Sequence, residues 1–84
     1  MGVSLSQGNA FLAGQLLPGV SFHHNDYVEV VSGEHCGHFG SIVSVESLGD
    51  DPMLLVELES KDALIRQSAL KFVAAQTWPR EGGV

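Results

Sequence analysis

Between Asp26 and Val73 the chain breaks into five short apolar segments, each followed within a few residues by turn-forming positions. Such spacing leaves no room for a long helix and suits strands, which need only about four to eight alternating residues. Residues 26–32 (DYVEVVS) put Val28 and Val30 on one face and Tyr27 and Glu29 on the other. A loop with three glycines runs from Gly33 to Gly40. Residues 40–47 (GSIVSVES) form a second, β-branched strand. Gly49-Asp50-Asp51-Pro52 is a turn, and residues 53–59 (MLLVELE) alternate again, with Leu54, Val56 and Leu58 inward and Glu57 and Glu59 outward. Residues 63–67 give a fourth strand, Ser68-Ala69-Leu70 a tight turn, and Lys71-Phe72-Val73 a closing strand.

The flanks are different. Residues 1–25 form an arm in which Leu5, Leu12 and Leu16 would share one face of a short helix stopped by Pro18-Gly19. The arm is expected to cover an open edge of the sheet. Residues 74–84 form a tail whose large apolar group is Trp78. With 84 residues, one small domain is expected, with its organised part at 26–73. The fold class is therefore all-β: a small five-stranded barrel with a short N-terminal arm or helix.

Charge narrows the function. The chain carries 10 acidic and 4 basic residues, for a net charge of −6. The basic ones, Lys61, Arg66, Lys71 and Arg80, all follow residue 60, and eight acids precede them. Proteins that neutralise phosphates present Lys and Arg to them, so charge disfavours nucleic acid and anionic membranes. It favours a basic protein partner. The N-terminus lacks the positive region of a signal peptide and the arginines of a transit peptide, and no apolar run is long enough to span a bilayer. A cytoplasmic location is expected. One cysteine rules out an intramolecular disulfide.

The stretch VEVVSGEHCGHFGSIVSV, residues 28–45, resembles the KOW motif of transcription elongation factors and ribosomal proteins. Val28, Val30, Gly33, Gly40 and Ile42 occupy its places, with Val45 as a further core position. Gly33 can take positive φ at the strand end, and Gly40 would let the second strand start tightly beside the first. IRQSALKFV, residues 65–73, resembles the end of the same barrel, where a short turn ending in Leu precedes the last strand. The resemblance implies a Src-homology-3-like barrel and, through the family's relatives, RNA or ribosome binding. The loop departs from that pattern: Glu34-His35-Cys36-Gly37-His38 stands where nucleic-acid binders carry Lys or Arg.

Candidate sites follow. Glu29, Glu57, Glu59, Asp50 and Asp51, with Tyr27, would form an acidic docking surface for a basic partner. Tyr27, Phe39 and Trp78 are aromatic anchor candidates, Phe39 at a position that more often packs inward. The alternative nucleic-acid route is Lys61, Arg66, Lys71 and Arg80. His35, Cys36 and His38 are the candidate metal ligands, with His23 and His24 near in sequence, although their spacing fits no standard metal signature. No cofactor is expected. Neither a phosphate-binding loop nor a dinucleotide fingerprint occurs, and a Cys36–His38 pair lacks an orienting group, so an enzyme is not expected. An exposed first or last strand could also pair with a second copy.

Overall fold

The structure is a computed structural model that describes residues 2–75. Trp78 and Arg80 lie outside the described residues. A helix, α1 (Leu5–Leu12), is followed by β1 (Tyr27–Val30), β2 (Phe39–Ser47), β3 (Met53–Leu58) and β4 (Asp62–Arg66); a 3-10 turn at Gln67–Ala69 then leads into β5 (Leu70–Ala74). All five strands join one antiparallel sheet in the order β4-β3-β2-β1-β5. The β-rich class and strand number match the sequence expectation. The sheet is not closed, however: β4 and β5 are its two edges and do not pair with each other.

Strand boundaries follow local hydrogen bonding. The first strand ends at Val30, not Ser32, because the carbonyl of Val30 accepts from the Gly37 N–H at 2.8 Å and turns the chain back. Gly33 and Gly37 have φ of 87° and 94°, as the loop's tight turns require. Leu70, expected in a turn, is the first residue of β5; it pairs with Val30 and is buried. Irregular register in β2 skips Val43, so Ile42 pairs with Val56 and Ser44 with Leu55. The bulge puts Ile42 and Val45, three apart, on the same buried face, where strict alternation would separate them.

Gly40 is crowded from an unexpected side. A Cβ there would lie 2.4 Å from the carbonyl oxygen of Glu57. The close approach is therefore to β3, and not to the first strand as the sequence implied.

The arm is part of the core. Phe11, Leu17, Val20 and Phe22 are buried with the inward residues of the sheet. The expected leucine face is not the packed one: Leu5, Leu12 and Leu16 are exposed, at 82%, 52% and 50%. The helix is also shorter than expected. Ser4 and Gln7 exchange capping hydrogen bonds of 3.1 Å at its start. At its other end it stops at Leu12, before Gly14 with φ of 98° and well short of Pro18. The backbone joins the arm to β2 through the Gly2–Ser47 bridge and the Asn25 N–H, which donates to the Ile42 carbonyl at 2.8 Å, and two side chains add to this. His24 places Nδ1 2.8 Å from the carbonyl oxygen of Val43, and its ring meets Phe11 edge-on at 6.1 Å. The Gln67 side chain accepts from the Ser21 N–H at 2.7 Å and donates to the Gly19 carbonyl at 3.0 Å. No helix among the described residues is long and apolar enough to cross a membrane.

Phe11→Ala is expected to cost about 3–5 kcal/mol in chemical denaturation, against about 4–13 kcal/mol for the whole of a domain this size. Leu5→Ala should change stability by less than about 0.5 kcal/mol. Gly40→Ala should cost roughly 1–3 kcal/mol, because neighbouring backbone must move.

Candidate protein-docking face

The inward face of the sheet is filled by its own apolar residues and by the arm. Its outward face carries the polar half of each alternation. Register brings specific side chains into rows across it. In one row Tyr27 of β1 pairs with Ser41 of β2, Ser41 with Glu57 of β3, and Glu57 with Asp62 of β4. In the adjacent row Lys71 of β5 pairs with Glu29 of β1, and Glu29 with Phe39 of β2. Tyr27 and Phe39 are therefore diagonal neighbours on one face, a geometry in which long side chains meet. Their rings stack, with centroids 5.8 Å apart and planes 15° from parallel. Phe39 is 40% exposed rather than packed inward.

Of the acidic docking set, the structure thus brings Tyr27, Glu29 and Glu57 together, around Phe39. Glu59 is exposed just past the end of β3, one residue beyond the row of Leu58. Asp50 and Asp51 do not join them. They lie in the β2–β3 turn, at the opposite end of β2 from Phe39. Asp51 is moreover engaged: Oδ1 accepts from the Ser68 N–H at 2.9 Å and Oδ2 from the Ser68 hydroxyl at 2.6 Å. It holds the β2–β3 turn against the 3-10 turn. Asp62 lies just before residues 63–67, to which the sequence assigns the fourth strand, and the structure makes it the first residue of β4. The Glu57–Asp62 pairing depends on β-hairpin register, which follows from the Leu58 N–H bonding to the Lys61 carbonyl at 2.9 Å.

The electrostatics of this face are mainly acidic. Among the described residues, the contacts of ion-pair length are His23 with Asp26 at 3.9 Å and His35 with Glu34 at 4.0 Å. Lys71 stands across the strand pair from Glu29, but no described Lys or Arg comes within ion-pair distance of Glu29, Glu57 or Asp62. Glu57 and Asp62 stand directly opposite one another, an arrangement that destabilises a sheet.

The candidate cations are dispersed. Lys61 precedes β4 and Arg66 ends it, roughly 16 Å apart along an extended strand. Lys71 sits on β5, at the other edge of the sheet order, beside Glu29.

The histidine loop forms a separate feature. Glu34, His35 and His38 line a cleft of about 290 Å³ against Glu59, Ser60 and Lys61 of the β3–β4 turn. Cys36 is exposed and is not part of its lining. Among the described residues, no three His, Cys, Asp or Glu side chains are placed to hold one metal ion. His24 is turned to Val43 and Phe11, and His23 to Asp26, so neither joins the loop. Buried Asp26 accepts from the His23 N–H at 2.8 Å, fixing the entry to β1.

The two hydrogen bonds from Ser68, first the hydroxyl and then the backbone N–H, hold the Asp51 carboxyl below its ordinary value, with Arg66 adding a smaller pull. A carboxyl whose pKa is lowered on folding stabilises above its unfolded pKa, near 3.9, and loses that contribution as pH falls through the folded value. Thermal melts of the parent protein and Asp51→Asn are expected to differ at pH ~7 and to converge as pH falls below about 4. A difference independent of pH would refute a role for the charge.

No protein-family model matches the chain, and searches of curated proteins and of solved structures give no significant match.

Proposed function

We propose that this chain is a small, non-enzymatic interaction module, built on a KOW-like, Src-homology-3-like barrel, that docks a basic protein on its outward sheet face. The observation that carries this reading is the joint presence, on neighbouring rows of one face, of a stacked aromatic pair whose Phe39 is exposed and of carboxylates that make no ion pair with a described Lys or Arg. Aromatic anchors supply contact area, and unneutralised carboxylates supply attraction and selectivity for a basic surface. The net charge of −6 acts in the same direction by steering approach. The barrel assignment draws support from the strand order, which sets first and last strands side by side, and from the 3-10 turn that leads directly into Leu70 and the closing strand. A cytoplasmic site of action goes with this reading.

The test is affinity capture from lysate of the source cell, with nuclease treatment, comparing the parent chain with a Glu29→Lys/Glu57→Lys variant. Both residues are on the outward face, so the fold should survive. The expected result is a basic protein retained after nuclease, with binding weakened roughly 10- to 100-fold by the double charge reversal. Capture only of nucleic acid, lost instead on Arg66→Glu or Lys71→Glu, would overturn the reading in favour of the motif's nucleic-acid relatives.

A further inference from the structure

We infer that the group this face takes from its partner is an arginine side chain, with its guanidinium lying over Ser41 between the Tyr27–Phe39 rings and the Glu57–Asp62 carboxylates. The inference rests on the docking reading above and specifies its chemistry.

Three observations lead to it. The first is the spacing of the two walls. Tyr27 and Glu57 are both register partners of Ser41, so two strand spacings, roughly 10 Å of backbone, separate them. The residue between these two long neighbours, Ser41, has a short side chain. The second is the nature of the walls. One side offers stacked aromatic rings, the other two carboxylates held directly opposite each other. The third is the lack of a counter-charge at that pair. Like charges directly opposite each other are unfavourable in a sheet, and no described Lys or Arg lies within ion-pair distance of them.

A guanidinium fits all three. It is planar, stacks on aromatic faces, sheds water more readily than an ammonium, and presents a fork of N–H donors to carboxylates. A lysine ammonium would satisfy the carboxylates but would gain little from the rings, being compact and strongly hydrated. Among the described residues the one arginine, Arg66, pairs with Met53 and is separated from the Glu57–Asp62 row by the Leu55–Leu64 row. The arginine we assign to the site is the partner's.

The test is a nuclear magnetic resonance titration of the full isotope-labelled chain with hexa-arginine and with hexa-lysine peptides, at ~150 mM salt to suppress long-range attraction. Hexa-arginine is expected to shift the Tyr27, Phe39, Ser41 and Glu57 amides and to bind about tenfold more tightly than hexa-lysine. Ser41→Leu, which sets a bulky side chain between the rings and the carboxylates without removing charge, should abolish the preference while the rest of the spectrum stays unchanged. Phe39→Ala should do the same. Equal affinity for the two peptides at this face would overturn the arginine inference and leave docking of a basic protein standing. Binding of neither peptide would overturn both. An arginine preference that survives in both Ser41→Leu and Phe39→Ala would place the arginine elsewhere and overturn the assignment to this face.

Discussion

Everything in this chain depends on covering one side of a five-stranded sheet that does not close on itself. A closed barrel could bury its apolar side chains among themselves. Here β4 and β5 remain unpaired edges, and burial is completed by Phe11, Leu17, Val20 and Phe22 from the arm. The arm is secured by side chains that bridge distant parts of the sequence: His24 to Val43, and Gln67 to Gly19 and Ser21. Small domains bury a limited share of their surface, so four large side chains from one segment are a substantial fraction of the core.

This arrangement determines what is left for function. With the inward face occupied, the broad ordered surface that remains is the outward face of β1, β2 and β3. Its central position in the sheet gives it rigidity, since each of those strands is hydrogen-bonded on both sides. The bulge at Val43 and the tight approach of Gly40 to Glu57 fix the register that sets Ser41 between Tyr27 and Glu57. The make-up of the outward face is thus a consequence of core packing: the same alternation that sends Val28, Ile42 and Val56 inward sends Tyr27, Ser41 and Glu57 outward.

The strands were legible because alternation and turn residues are local signals. Val28, Val30, Leu54, Val56 and Leu58 all lie on the face that their spacing indicates, and Gly33 has the positive φ expected of it. The arm was misread because leucine spacing marks a helical stripe without saying which side it faces; the buried residue of the helix is Phe11. Asp51 resembled any turn aspartate until the fold brought Ser68 to it across 17 positions. The opposition of Glu57 and Asp62, and the exposure of Phe39, depend on cross-strand register and on what neighbouring strands leave uncovered. Neither property is contained in a single segment. Charge composition pointed towards a basic partner, but separating Asp50 and Asp51 from Glu29 and Glu57 needed the topology.

The central claim is that the outward face of β1, β2 and β3 is the surface that meets a protein partner. Cross-saturation nuclear magnetic resonance on the complex of the labelled chain with its captured partner tests it most directly, because it reports which residues touch the partner. The account predicts signal loss centred on Tyr27, Phe39, Ser41 and Glu57. Loss centred instead on Lys61, Arg66 and Lys71, or on the exposed leucines of the arm, would contradict it.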